Sequence, residues 1–176
     1  MKLISVDIEA DGPCPGDYSM VCFGAVVVEP ELNRTFYSQL RPITNKFIES
    51  ALVVSGFSYK EVKKFPPPKK VIEKFHQWLK NINEKEQGIV FISDNPVFDW
   101  QFINYYLWHF CNNNPFGHSA RRIGDLYSGL VKKFNAQRNW KKKFRKTKHT
   151  HNPLDDAMGN AEAIIGIFDK FGLTLP

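Results

Sequence analysis

Residues Leu3 to Glu9 alternate apolar side chains with Ser5, Asp7 and Glu9, and this short pattern constrains the chain more than any other. A period of two predicts a β-strand whose alternate positions share a face, so Asp7 and Glu9 project together. The opposite face, Ile4, Val6 and Ile8, is apolar and is expected in the core. Two neighbouring carboxylates on such a strand repel each other and resist loss of water unless cations neutralise them. Oxygen ligands of this type suit Mg2+ or Mn2+.

Val21 to Glu29 and Thr35 to Arg41 read as two further strands. The links between the three runs are too short for a crossover, which predicts an antiparallel meander. A short helix is expected near Glu49 to Val54. After Pro66-Pro67-Pro68, the residues Val71, Ile72, Phe75, Trp78, Leu79 and Ile82 recur at helical spacing and predict a helix with a core-facing stripe. Gly88 to Ile92 reads as a strand, Phe98 to Phe110 as an apolar helix, Arg122 to Ile123 as a short strand and Asp125 to Phe134 as another helix. A last helix over Pro153 to Phe171 has Pro in its first turn and Gly172 as its stop. This order predicts an α/β fold: a mixed sheet of three antiparallel strands and then parallel ones, flanked by helices. With 176 residues and 43% apolar content, one core and one domain over residues 1–176 are expected.

The net charge of +6 is unevenly spread. No acid occurs between Leu126 and Leu154, whereas Lys132, Lys133 and Arg138 are followed there by Lys141, Lys142, Lys143, Arg145, Lys146 and Lys148. Phe134, Trp140 and Phe144 lie among them, a composition that suits a groove or arm for single-stranded nucleic acid, or else a solvated loop. The N-terminus carries neither a secretory signal nor a membrane span, and Cys14, Cys22 and Cys111 form no close pair. Cys22 is expected in the core and Cys14 in an accessible loop. A cytoplasmic protein with reduced thiols and no membrane partner is expected.

Three segments complete the picture: Asp7-Ile-Glu9-Ala-Asp-Gly-Pro13, Asp94-Asn-Pro-Val-Phe-Asp99 and His151-Asn-Pro-Leu-Asp-Asp156. In order and spacing they resemble the three motifs of the DEDDh superfamily of 3′-to-5′ exonucleases, which have a ribonuclease-H-like fold. Ala51-Leu-Val-Val-Ser-Gly56 and the Phe75 to Leu79 helix are similar to the region between the first two motifs in ribonuclease T and its relatives. The resemblance implies that Asp7, Glu9, Asp99 and Asp156 hold two divalent ions and that His151 is the general base. It also implies release of nucleoside monophosphates from a single-stranded 3′ end, and pairing of two copies as in ribonuclease T. The sister subclass places Tyr four residues before the last Asp, where Asn152 stands here. His-Asn-x-Leu-Asp-Asp with a following Asn160 is most similar to exoribonucleases, which tilts the expected substrate towards RNA. Ala10 and Asp94 depart from many members, which carry Thr and His there; neither is a metal ligand in the pattern, so both bear on substrate preference.

The chemistry fits these residue types without the family name. Two metals about 3.5–4 Å apart serve both the attacking and the departing oxygen of an in-line displacement. An imidazole, with an unperturbed pKa of about 6.5, is a suitable proton acceptor near neutral pH. Taken singly, Asp99 and Asp156 also suit the first turn of a helix, where the dipole favours a carboxylate. Asp155 lies about 100° round the helix from Asp156 and is expected to face elsewhere or to support a contact behind the metal ligands. His149 and His76 are expected on the surface or in the core rather than in catalysis. A nucleic-acid-binding module without activity is the alternative reading; it would show a broken carboxylate set, and all four acids are present.

Overall fold

The computed structural model of the chain describes residues 1–83 and 87–176. Five strands, β1 (Lys2–Ala10), β2 (Met20–Val27), β3 (Thr35–Gln39), β4 (Ile89–Ser93) and β5 (Ala120–Arg122), form one sheet in the order β3-β2-β1-β4-β5. β1, β2 and β3 pair antiparallel, as their short connections require. β4 lies parallel to β1, and β5 parallel to β4. The crossover to β4 carries α1 (Glu49–Ser55), α2 (Tyr59–Val62) and α3 (Pro68–Ile82), and α4 (Pro96–Cys111) links β4 to β5. α5 (Ile123–Leu130), α6 (Asn139–Phe144) and α7 (Pro153–Phe171) follow. This is the expected mixed sheet flanked by helices. Among the described residues, no helix is long and apolar enough to cross a membrane.

The two faces of β1 part as its alternation predicts. Ile4, Val6, Ile8 and Ala10 pack against Ile72, Phe75 and Leu79 of α3 and Phe102, Ile103 and Tyr106 of α4. On the other face Leu3 joins a core built with Ile123, Trp140, Ala157, Ala161 and Ile164. Ser5 points the same way and donates its hydroxyl to the Ala157 carbonyl of α7 at 2.9 Å. Asp7 and Glu9, two and four residues on, therefore face the start of α7.

Close approach of α7 depends on Gly24, the β2 residue paired with Asp7. A Cβ there would lie 2.5 Å from the Leu154 backbone nitrogen and Cα. Pro68, Pro96 and Pro153 open α3, α4 and α7, where the fixed φ suits the first turn and the missing N–H is not needed. Asn152 caps α7 by accepting from the Leu154 N–H at 3.0 Å, and Gly172 ends it in the left-handed region, as expected.

Two expectations fail in the region after β5. The helix predicted over Asp125 to Phe134 spans Ile123–Leu130 and stops in a Schellman turn. Lys132 adopts φ 55°, and the Lys133 N–H returns to the Ser128 carbonyl at 3.0 Å. A 3-10 turn, Phe134–Ala136, follows. The basic segment is not a solvated arm throughout: α6 buries Trp140 completely, and Phe144 packs over Gly166 of α7. Of the three interleaved aromatics only Phe134, 86% exposed, remains open to solvent. α2, held by a capping box between Ser58 and Glu61, was not anticipated.

Because backbone atoms meet the Gly24 Cβ position, they cannot swing aside as a side chain would. Gly24→Ala is expected to cost about 1–3 kcal/mol of stability. Gly129→Ala, where a Cβ meets nothing within 4 Å on α5, is expected to be neutral or stabilising. Thermal unfolding of the two variants checks this; equal midpoints would remove Gly24 from its role.

Candidate active site

One end of the sheet collects three acids: Asp7 and Glu9 from β1, and Asp156 from the first turn of α7 have carboxylate oxygens within 4.8 Å of one another. Asp99, in the first turn of α4, is 4% exposed and near enough to raise the carboxyl of Asp7. The structure thus brings all four predicted acids to one place, Asp99 being outside the tightest trio. His151, the fifth predicted residue, is half exposed with Nδ1 3.5 Å from Glu9 Oε1. Its backbone has φ 59°, a conformation that is uncommon outside glycine and that His tolerates better than most. The His151 N–H donates to Asp156 Oδ2 at 3.1 Å, so the same acid that anchors the turn also faces Asp7 and Glu9.

Burial sets the electrostatics of the cluster. Loss of water is the largest cause that raises Asp7 well above the ordinary carboxylate range; repulsion from Asp99, Asp156 and Glu9 adds to it, and Arg145 opposes it. Glu9 is pushed up to about 7, first by burial and then by Asp156, with His149 acting in the other direction. Asp99 is pushed up to about 8, again chiefly by burial, against the nearby Ser93 hydroxyl and the backbone N–H groups of Ile8 and Asn95. Carboxylates that resist ionisation together, with an all-oxygen donor set, fit hard divalent cations such as Mg2+ or Mn2+.

His149 departs from expectation. It is on the surface, as one branch of the expectation has it, yet it also touches the cluster: its Nδ1 lies 2.8 Å from Asp156 Oδ1, and its ring centroid is 4.4 Å from that of His151. His149, His151 and Asp156 form a second group able to hold a cation. The nearness of the two histidines in sequence, two residues apart just before the last motif, is the signal available. Asp155 behaves as expected: it accepts from the Thr150 hydroxyl at 3.0 Å, off the cluster. His76 is half-buried at the surface and pairs with the Asn113 side chain at 3.0 Å.

The basic residues divide. Arg145, expected to contact a strand, has only 9% of its side chain exposed and sits against Asp156 Oδ1 at 2.5 Å. The expected role fails because α6 ends there and turns the guanidinium inward over Gly159. Lys141 pairs with Asp94 at 2.5 Å, and Lys143 donates to the Tyr127 hydroxyl at 3.1 Å. Lys142, Lys146 and Lys148 are exposed. Asp94, a departure from the motif, is therefore an ion-pair partner beside Asn95, which stands at the N-cap position of the helix of Asp99 without a side-chain capping bond. Cys22 is buried, as expected, and Cys14 is half-buried.

The family model described as RNase_T, exonuclease, matches residues 4–164. The chain is 38% identical over 130 residues to the 3′-5′ DNA exonuclease Cap18 of Escherichia coli, covering 72% of this chain and 68% of that protein. Among solved structures, the nuclease domain of 3′hExo, a DEDDh family member bound to rAMP, superposes with a TM-score of 0.74 at 18% identity over 99% of this chain and 96% of that one. Exonuclease I of E. coli in complex with a dT13 oligonucleotide gives 0.69 at 12% identity over 96% of this chain and 41% of that chain. These two likenesses establish the ribonuclease-H-like fold. With the family model spanning nearly the whole chain and all four acids gathered beside His151, the chain belongs to the RNase_T exonuclease family.

Proposed function

We propose that this protein is a metal-dependent 3′-to-5′ exonuclease that removes nucleoside monophosphates from single-stranded nucleic acid. The observation that carries the reading is the convergence of Asp7, Glu9, Asp99 and Asp156 on one point, with His151 3.5 Å from Glu9. The sequence tilts the substrate towards RNA, but the relative at 38% identity is named a DNA exonuclease. DNA is accordingly the favoured strand. The reading also carries a single domain over residues 1–176, a cytoplasmic location and, from the family resemblance, pairing of two copies.

Asp7, Glu9, Asp99 and Asp156 would hold two divalent ions, Mg2+ or Mn2+. When bound, such ions supply the Lewis acidity that displacement at phosphorus needs at both the attacking and the departing oxygen. The chain's own work is to fix geometry and accept a proton. His151 is the acceptor, because its half-exposed ring stands at the solvent edge of the acids where a water can approach. The Asp156 carboxylate fixes the backbone beneath that ring through the Thr150 and His151 N–H groups. Lys142, Lys146 and Lys148 supply a positive edge for the phosphates of a strand.

End-labelled DNA and RNA oligomers, with free or blocked 3′ ends, digested in Mg2+, test the reading directly. Asp7→Asn and Asp156→Asn are expected to keep the fold and lose more than about nine-tenths of hydrolysis, since each removes a ligand charge. His151→Ala is expected to lose about 10²–10⁴-fold in turnover. His149→Ala, acting through its contact with Asp156, is expected to lose less, about 10–100-fold. Equal losses in the two histidine variants would remove His151 as the proton acceptor.

A proton linkage follows from the raised acids. A carboxyl whose folded pKa lies above its unfolded value stabilises the fold below the unfolded pKa, and that stability is lost as pH rises through the folded pKa. Here the window runs from the ordinary carboxylate range up to about 7 for Glu9 and about 8 for Asp99. In EDTA the melting temperature is expected to fall across that window. Added Mg2+ should raise it more at pH 8 than at pH 5, because protons and metal compete for the same oxygens. A Mg2+ shift that is the same at both pH values, measured by scanning fluorimetry, would contradict the cation site.

The strand edge predicts a salt effect. Each single-strand phosphate contact contributes about −0.7 to the log–log salt slope, so replacing Lys142, Lys146 and Lys148 with Gln should flatten it by about two units. Anisotropy titrations of a labelled oligonucleotide at several salt concentrations measure this; an unchanged slope would place the strand elsewhere.

A further inference from the structure

Arg145 is the cation closest to the carboxylate cluster and plays no part in the chemistry described so far. Its Nη2 lies 2.5 Å from Asp156 Oδ1, in a pair whose side chains are 9% and 1% exposed. The Arg145 Nε donates to the Thr147 carbonyl at 2.8 Å. Nη2 also reaches the Lys148 carbonyl at 3.5 Å. One guanidinium thus joins α7 to the first half of the 145–151 segment. The second half is tied to the same acid, because the N–H groups of Thr150 and His151 and the ring of His149 all meet Asp156.

Gly159 provides the room. It lies three residues past Asp156 on the same face of α7, and a Cβ there would sit 2.3 Å from Arg145 Nε and 2.8 Å from Cζ. Glycine in a helix interior is otherwise unfavourable, so its presence calls for a packing reason, and the crossing guanidinium is one. Glu162, farther along α7, takes the Lys146 and Thr147 N–H groups at 2.9 and 2.7 Å, and this second tether keeps the segment flat on the helix.

We propose that Arg145 is a positioning residue for the reaction: threaded across Gly159, it is the fixed counter-charge of Asp156 and the pin that holds the histidine-bearing segment over the carboxylates. The inference rests on the exonuclease reading. A planar group is needed because the Thr147 carbonyl takes Nε and the carboxylate takes Nη2, two donors held in one rigid plane, and an ammonium at the end of a lysine cannot present donors to both in fixed directions. Strand binding does not explain a side chain with so little exposure.

The test compares Arg145→Met, Arg145→Lys, Gly159→Ala and the Arg145→Met/Gly159→Ala double variant. Hydrogen exchange of the 147–151 amides is followed without divalent ion, and kcat and KM are measured on a single-stranded oligonucleotide in Mg2+. Arg145→Met is expected to speed exchange at Thr150 and His151 and to lower kcat about 10–100-fold with KM little changed. Gly159→Ala should do the same without altering any charge, and the double variant should fall no lower than the worse single one, because both break one contact. Arg145→Lys should recover part of the loss. Unchanged exchange in Arg145→Met overturns the pin, and multiplied losses in the double variant overturn the threading. A raised KM with kcat kept makes Arg145 a strand contact and overturns the positioning role. If the wild-type protein cleaves no nucleic acid, the exonuclease reading fails, while the exchange data still decide whether Arg145 holds the segment.

Discussion

Mutual repulsion among four buried or half-buried carboxylates is the term that the surrounding structure has to offset. Asp7 cannot move away from Glu9, because both ride on a strand paired with β2 at Gly24 and Cys22 and anchored to β4 through its first half, Lys2 to Ser5. Asp156 cannot move away from either, because Gly24 lets the first turn of α7 settle on the sheet beside Asp7 and the helix is then locked by Ala157, Ala161 and Ile164 in the core. Asp99 is held in the first turn of α4 by Phe102, Ile103 and Tyr106, which follow it along the buried side of that helix and pack in the core. The apolar cores on the two sides of the sheet therefore supply the force that keeps like charges together. A site of this kind is stabilised by cations and strained without them.

Much of this was legible because it follows short periods. The alternation in β1 predicted which residues are core and which are polar, and Ile4, Val6 and Ile8 are buried on the side opposite Asp7 and Glu9. The Pro openings and the Gly172 stop marked the ends of long helices well. What was not legible was decided by tertiary packing. α6 is only six residues long, and three consecutive lysines hide its Trp140–Phe144 stripe, so nothing in the pattern separates a buried helix from a solvated arm. Likewise, Lys132 adopts the left-handed region at the end of α5 without the glycine that usually signals such a stop. The inward turn of Arg145 depends on Gly159, fourteen positions away, a pairing that no local reading supplies.

The basic segment consequently does two jobs that composition alone merged into one. Its inward residues, Trp140, Phe144 and Arg145, fasten the segment to α7 and to the acid cluster. Its outward residues, Lys142, Lys146 and Lys148, keep a positive edge in solvent. Lys141 and Lys143 are intermediate cases, each with a partner in the fold yet within reach of solvent. An interleaving of aromatics and bases that resembles a nucleic-acid surface is here partly a core stripe with a charged back.

The remaining question is whether Asp99 and Asp156 serve as helix-capping acids and nothing more. Each does sit in the first turn of its helix, where the dipole favours a carboxylate by at most about 2 kcal/mol even in partly buried geometry. Against that, burial above all, with repulsion from Asp94, pushes the Asp99 carboxyl up to about 8, so its ionised form is disfavoured there in spite of the dipole. The capping gain is too small to justify burying that acid beside Asp7, and a neutral residue would cap without the repulsion. Asp156 is anchored differently: it already takes Arg145, His149 and the N–H groups of Thr150 and His151, so it is satisfied by the chain itself. The two acids at the helix ends thus differ in their partners: Asp156 has cationic side chains and backbone N–H donors around it, whereas Asp99 is buried within reach of Asp7. An added cation would relieve the repulsion among these buried acids, which helix capping alone gives no reason to bring together.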